Sequence, residues 1–136
     1  DTEVGVDVEG REREHKFDLK IADSHFAPEE SKLLHALPND ADRGQLFLRL
    51  WTLKEAFVKA TGRGLSQPLD EFVIRVDPVL ITVPVTSDPS LWYGAEWYLG
   101  GQRLAAVCAW PHAGEPNFVH LDILRLEGRN KLRPTV

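Results

Sequence analysis

The sequence predicts an α+β domain, in which an antiparallel β-sheet packs against one long helix. A run with valine at every second position opens the chain, as a half-buried strand requires. An apolar stripe with helical spacing covers residues 43–61, and short β-type runs follow it. At 136 residues, of which 43% are hydrophobic, the chain fits one domain with a single core.

The opening strand is predicted at about residues 3–9. Successive side chains of a strand point to opposite faces, so the valines share one face, while Gly5, Asp7 and Glu9 share the other. A solvated sheet edge is the simpler interpretation of the two acids. A divalent metal site is the alternative, and it requires a third ligand from elsewhere in the chain.

Two helices follow a polar connection. Residues 27–37 are predicted to form a short helix, because Pro28 and two acids suit a first turn and three leucines form a stripe. Residues 38–42 are a turn that can cap the long helix, which covers residues 43–61 and ends at Gly62. The long helix directs five side chains towards the core, namely Leu46, Leu50, Leu53, Phe57 and Ala60.

The opposite side of the long helix carries Trp51, Thr52, Glu55 and Lys59. A glutamate followed four residues later by a lysine is ordinarily a surface ion pair. Trp51 argues against an open surface, because a tryptophan here implies that another element, another subunit or a ligand covers this face. If the opening strand packs beside this face, its two acids converge with Glu55.

The remaining chain is predicted to consist of strands and a tail. The candidate strands cover residues 71–76, 80–85, 96–99, 104–110 and 120–126. Gly100 and Gly101 supply a hairpin turn between the third and the fourth of these strands. The domain is expected to span residues 1–127, and residues 128–136 are expected to form a loose basic tail.

Composition and charge exclude several classes of protein. A net charge of −5 gives no general attraction to nucleic acid or to an anionic membrane, and no apolar run is long enough to cross a bilayer. The basic cluster within residues 11–20 is interrupted by acids and is interpreted as a solvated segment.

A cytoplasmic location is expected, because no signal-peptide pattern occurs and the single Cys108, in an apolar run, suits a buried thiol. The sequence contains no methionine, so we expect a processed or excised piece of a longer protein.

The acids favour one kind of metal. Three carboxylates without a companion histidine or cysteine suit a hard cation such as Mg²⁺, which prefers oxygen ligands and often retains phosphate oxygens. Lys59 lies one turn after Glu55 and is then placed to meet such a phosphate. The five histidines are scattered without zinc-ligand spacing, and GRGL follows the long helix instead of opening it as a phosphate loop would.

Two motifs in this order resemble the 4'-phosphopantetheinyl transferase superfamily. One is the strand VGVDVE, which ends at Glu9, and the other is the helix run LWTLKEAFVKATGRGLSQPLD, which ends at Asp70. The segment HFAPEE, which ends at Glu30, lies between them. The likeness is to the second half of the two-half, surfactin-synthetase-activating type, and it continues weakly through WYGAEWYLGGQRLAAVCAWP.

The resemblance implies a role for each motif residue. Asp7 and Glu9 would bind Mg²⁺, and Glu55 would complete the metal site or act as the base. Lys59 would contact the pyrophosphate of coenzyme A, and Lys54 matches a motif lysine that is also expected at the cofactor, with its duty left open. The stretch GRGLSQPLD is similar to the region that meets the carrier protein.

The activity that the resemblance implies is transfer of the 4'-phosphopantetheine arm from coenzyme A to a serine of an acyl or peptidyl carrier protein. Such transfer serves fatty acid, polyketide or nonribosomal peptide biosynthesis. The expected partners also include a missing N-terminal half, or identical copies that form the site between subunits. Two alternatives remain open, a non-catalytic module that docks on carrier protein or coenzyme A, and a metal-dependent phosphohydrolase.

Overall fold

The computed structural model describes residues 3–83, 91–110 and 114–118. Short 3₁₀ helices lie at Arg11–His15 and Gly64–Ser66. The other elements, in chain order, are β1 (Val4–Gly10), α1 (Leu19–His25), α2 (Pro28–Ala36), α3 (Asp40–Thr61), β2 (Val73–Arg75), β3 (Leu80–Thr82), β4 (Leu91–Leu99) and β5 (Gln102–Trp110). The α+β class is confirmed, because every described strand pair is antiparallel and α3 packs on β1 and β5.

The main sheet has the strand order β1-β5-β4, so β5 lies in its centre. The register places Asp7 opposite Ala105 and Glu9 opposite Arg103. Gly100 and Gly101 form the turn between β4 and β5 with φ angles of 58° and 75°, which glycine adopts without a steric penalty. Strands β2 and β3 form a separate two-stranded ribbon.

Helix α3 is the centre of the fold. It begins at Asp40, ahead of the predicted residue 43, because the side chain of Asn39 caps it by accepting a hydrogen bond from the backbone N–H of Asp42 at 2.8 Å. It ends as predicted at Gly62, whose φ of 71° lies in the left-handed region. Of the predicted core stripe, Leu46 is half-buried, and the other members are buried, namely Leu50, Leu53, Phe57 and Ala60.

The other side of α3 is more enclosed than its sequence suggested. Thr52 was expected to lie opposite the core, yet it is only 2% exposed, and its hydroxyl donates to the carbonyl of Leu48. Trp51 is half-buried and stacks on Phe26 and Phe47 at ring-centroid distances of 6.4 and 6.3 Å. The sequence left open whether another element, another subunit or a ligand covers Trp51. The structure shows that another segment of the same chain, which contains Phe26, covers it.

That covering segment was predicted to be a polar connection. It contains the first 3₁₀ helix and α1, which has seven residues and is too short to show helical periodicity in the sequence. Asp18 caps α1, because its carboxylate accepts a hydrogen bond from the backbone N–H of Lys20 at 2.9 Å. Phe26, directly after α1, then reaches the aromatic side chains of α3.

The remaining elements follow the prediction with shifted ends. Helix α2 matches the predicted helix at residues 27–37, and β2 and β3 are shorter than expected. Strand β4 begins at Leu91 instead of residue 96, and Gly94 within it pairs with Val107. The absence of a side chain at Gly94 leaves room for Val79, which directly precedes β3. The predicted strand at residues 120–126 and the tail at 128–136 lie outside the described residues.

No described helix combines the length and the apolar character that a membrane span needs.

Gly5 brings β1 into direct backbone contact with α3. A Cβ atom at this position would lie 1.9 Å from the carbonyl oxygen of Ala56 and 2.4 Å from the backbone nitrogen of Ala60. A packed interior does not allow such approaches, so only a residue without a side chain permits this contact. Because Asp7 and Glu9 share this face of β1, the contact also brings them to α3.

We expect Gly5→Ala to destabilise the fold by about 3 kcal/mol, because β1 must move away from α3 to relieve the overlap. Urea unfolding followed by circular dichroism measures this change. Gly10→Ala is the matched control, since its Cβ would meet the carboxylate of Glu12, the far end of a flexible side chain. Equal stability of the two variants would contradict the close contact at Gly5.

Candidate active site

The best-defined polar contact between β1 and α3 joins Asp7 to Lys59. Asp7 is 6% exposed, and its Oδ1 atom accepts a hydrogen bond of 2.7 Å from the Nζ atom of Lys59. Lys59 lies in the last turn of α3, and its side chain is 53% exposed. The pair therefore connects the interior of the domain with its surface, and an incoming ligand can reach the ammonium group.

The second oxygen of Asp7 is unusual. Asp7 Oδ2 is buried and has no hydrogen-bond partner among the residues that the structure describes, although the Glu9 carboxylate lies close enough to influence Asp7. The pKa of Asp7 is raised to about 6, chiefly by burial and also by the neighbouring carboxylate of Glu9, against the opposing effect of Lys59. Unpaired buried polar atoms are rare and costly in folded proteins, so this oxygen indicates a place for a ligand.

Glu9 is held by two donors from different elements. The indole N–H of Trp51 donates to Oε2 at 3.2 Å, and the guanidinium of Arg13 donates to Oε1. The stacking of Trp51 on Phe47, with an interplanar angle of 11°, fixes the direction of the indole N–H. Trp51 therefore contributes to the orientation of Glu9 as well as to the core.

Glu55 lies on α3, one turn before Lys59, and is half-buried. The pKa of the Lys59 ammonium is raised, first by its hydrogen bond to Asp7 and then by the negative charges of Asp7, Glu55 and Glu9. The three candidate ligands thus all act on one cation of the chain itself. Their negative charges therefore meet around the Lys59 ammonium.

The donor set fits a hard cation at Asp7 and Glu9. Two neighbouring carboxylates, one with an unpaired buried oxygen, are the ligands that Mg²⁺ prefers. Across residues 3–83, 91–110 and 114–118, no three His, Cys, Asp or Glu side chains are arranged as a complete metal site. The structure therefore places Asp7 and Glu9 side by side, and it does not group Glu55 with them as a third ligand.

Lys54 has a different environment from the one expected of a cofactor-binding residue. It is 0% exposed, and its ammonium donates to the carbonyls of Leu69 and Phe72 at 2.6 and 3.0 Å. Its third contact is an ion pair of 2.8 Å with Glu30. Because all three donors are used inside the fold, the expected contact of Lys54 with coenzyme A is corrected to a structural role.

Glu30 is the buried partner that the sequence analysis did not single out. Its Oε1 atom accepts from the backbone N–H of Ala27 at 2.9 Å, and Oε2 accepts from the backbone N–H of Ile74 at 2.6 Å. The Lys54–Glu30 pair therefore connects α2, α3 and β2. The available signal was the capping-box position of this acid, three residues after the N-cap residue Ala27.

Comparison with known proteins places this geometry in a family. A family model described as the 4'-phosphopantetheinyl transferase superfamily matches residues 3–108, which include the β1 motif and the α3 motif. The chain belongs to the 4'-phosphopantetheinyl transferase superfamily. Among curated members, it is 32% identical over 122 residues to HetI from a Nostoc species and 35% identical over 109 residues to Sfp from Bacillus subtilis.

This transferase-family chain spans about half the length of those curated relatives. The HetI match covers 87% of this chain and 48% of HetI, and the Sfp match covers 78% of this chain and 46% of Sfp.

Solved structures of holo-acyl-carrier-protein synthases share the fold. The synthase from Thermotoga maritima has a TM-score of 0.61 at 22% identity, and the match covers 82% of this chain and 65% of that protein. The synthase from Bacillus anthracis, solved in complex with coenzyme A (3',5'-ADP), has a TM-score of 0.62 at 18% identity, with 78% and 93% covered. At these identities the likeness establishes the architecture alone.

We expect the Asp7 carboxyl to titrate near pH 6 in the presence of a chelator, which carbon-detected NMR can follow. Because its pKa is raised in the folded state, the folded protein binds this proton more tightly than the unfolded chain does. The contribution of Asp7 to stability therefore increases as the pH falls from about 6 towards the ordinary value of 3.8.

Two variants check this assignment. Lys59→Met should raise the pKa of Asp7 further, since the hydrogen bond from Lys59 lowers it. Asp7→Asn should remove the corresponding pH dependence of the urea midpoint. A carboxyl that titrates near 4 in the wild type would contradict the burial of Asp7.

Proposed function

We propose that the chain is the acid-bearing part of a transferase that moves the 4'-phosphopantetheine arm of coenzyme A to a serine of an acyl or peptidyl carrier protein. One observation carries the proposal, the ion pair of Lys59 with Asp7 beside Glu9, with the second oxygen of Asp7 unpartnered. Membership of the family and the match to HetI and Sfp agree with it.

The transfer needs charge neutralisation and alignment. In balanced form, the serine oxygen bonds to the phosphorus of the pantetheine arm, the bond from that phosphorus to the bridging oxygen breaks, and adenosine bisphosphate leaves. The serine proton goes to a base. A transition state of this kind gains most from fixed positive charge on the phosphate oxygens, so covalent participation by the protein is unnecessary.

Lys59 is the residue of the chain best suited to the phosphates. Its ammonium stays charged because the surrounding carboxylates raise its pKa, and half of its side chain is open to solvent. A compact cation with three donors can bond a diphosphate oxygen while it retains Asp7. Lys54 cannot share this role from its buried position.

Asp7 and Glu9 are the residues that would hold Mg²⁺. Glu55, which the structure does not group with them, would either turn towards the ion to complete the site or accept the serine proton. The bound ion would supply positive charge to the diphosphate of coenzyme A. The unpartnered oxygen of Asp7 and the fixed orientation of Glu9 support this assignment. Both acids lie on β1, so the close packing of β1 on α3 keeps them next to Lys59.

We expect Glu55→Gln to reduce transfer at least about 100-fold, because either of its two roles requires a carboxylate. The assay mixes the parent protein with apo carrier protein, coenzyme A and Mg²⁺, and mass spectrometry measures the gain on the carrier serine. Glu29→Gln is the matched control, since its side chain is 62% exposed on α2 and pairs with Arg75.

Other outcomes have defined meanings. Transfer by Glu55→Gln at the wild-type level would overturn the assigned site. Coenzyme A binding without any mass gain would favour the non-catalytic docking module. Phosphate release in the absence of carrier protein would favour the phosphohydrolase.

The outer face of the main sheet supports a partner of the same fold. Val4, Val6 and Val8 point away from α3 and are 57%, 46% and 46% exposed. On the same face of β5 and β4, Leu104, Tyr93 and Ala95 are half-buried, whereas Ala106 and Cys108 are buried and Trp97 meets the ring of Phe118 at 6.3 Å. We propose that a second phosphopantetheinyl-transferase half covers this face, either an N-terminal half or an identical copy.

We expect Val6→Lys to weaken that association about tenfold or more, since a charge would be buried in an apolar interface. Analytical ultracentrifugation of the chain alone detects self-association, and unfolding of the parent protein reports contact between halves. Leu33→Lys is the control, because Leu33 is 58% exposed on α2, away from the sheet. Identical behaviour of the two variants would argue against this interface.

A further inference from the structure

Each of the two candidate metal ligands on β1 already has a positively charged partner. Asp7 is paired with Lys59, and Glu9 is paired with Arg13. Arg13 comes from the 3₁₀ helix that follows β1, four residues after Glu9. The sequence predicts that this segment is solvated, and the structure shows instead that one of its arginines pairs with Glu9.

The two donors of Glu9 differ in charge and in mobility. Trp51 bonds Oε2 with a neutral N–H and is fixed by its aromatic neighbours. Arg13 bonds Oε1 with a full positive charge, and its side chain is 51% exposed, whereas that of Glu9 is 13% exposed. A divalent cation and a guanidinium on the same oxygen repel each other, so a metal at Oε1 competes with Arg13, whereas the neutral N–H on Oε2 does not oppose it.

We propose that Arg13 is a displaceable counter-ion of Glu9, which a divalent cation must dislodge before Glu9 can ligate it. The inference rests on the proposed function, because it takes Glu9 as a metal ligand. Arg13 thereby keeps the acid neutralised when no metal is bound and lowers the affinity of the site for metal. It is a positioning residue, since it acts through Glu9.

The surroundings of Arg13 allow this displacement. Its side chain lines a small groove of about 140 Å³ next to Trp51, together with Lys16, Ile21 and Phe47. The Arg13 side chain is half-exposed and can turn into solvent, and an incoming divalent cation then replaces its charge beside the largely buried Glu9. Glu9 remains oriented by Trp51 after Arg13 leaves.

Arg11 provides a matched control within the same 3₁₀ helix. Its side chain is 61% exposed, it pairs with Glu14 at 3.8 Å, and it lies over the ring of Tyr98 at 5.6 Å. Loss of its charge changes the net charge of the chain as much as loss of Arg13 does. Of these two arginines, Arg13 is the one that bonds Glu9, so a difference between the two variants isolates that contact.

The test measures the binding of Mn²⁺ alone to the purified chain by electron paramagnetic resonance. We expect Arg13→Gln to lower the Kd for Mn²⁺ about tenfold, a typical size for coupling between two sites. Arg11→Gln should change it by less than about twofold, because exposed charges are screened at physiological salt. Arg13→Lys, which keeps the charge, should remain near the wild type, and Glu9→Gln should weaken binding.

A Kd for Arg13→Gln that is unchanged, or higher than that of the wild type, would overturn the inference. A purely structural role for Arg13 predicts weaker metal binding, so the sign of the change decides between the two. A second measurement, calorimetry of coenzyme A binding in the presence of Mg²⁺, distinguishes a failure of this inference from a failure of the proposed function. If the wild type binds metal while Arg13→Gln resembles Arg11→Gln, this inference alone fails; if the wild type binds neither metal nor coenzyme A, even together with the second half proposed above, the proposed function fails as well.

Discussion

The whole arrangement depends on how closely β1 approaches α3. At Gly5 the strand backbone touches the helix backbone, and no larger residue fits there. Two residues further along the same face, this proximity lets Asp7 meet Lys59, and two residues further again it brings Glu9 to Trp51. A backbone contact without any chemistry of its own thus sets the distances on which the acidic site depends.

The sequence was sufficient for those elements whose pattern is long or has a strong end signal. Alternating valines identified β1, a 3.6-residue stripe identified α3, and paired glycines identified the β4–β5 turn. Short elements were missed because a seven-residue helix such as α1 completes too few turns to show a period. The start of α3 was displaced because an Asn39 cap outweighed the apolar pattern that begins later.

The candidate site shows the same limit. Residue spacing placed Asp7 and Glu9 on one face of a strand, and that inference needs only the two-residue alternation. Spacing cannot tell a surface lysine from a buried one, so Lys54 and Lys59 looked alike until the fold separated them by exposure. Arg13 was invisible because its partner depends on how the 3₁₀ helix turns back over β1.

Strand β1 carries two surfaces that must never be exchanged. If its pairing with β5 slipped by one residue, valines would press on α3 where only Gly5 fits, and the acids would face outward. Such a molecule would lose its packing and its chemistry in the same event. A copy that retains the packing of β1 on α3 therefore also retains the inward direction of its acids, because the same register sets both.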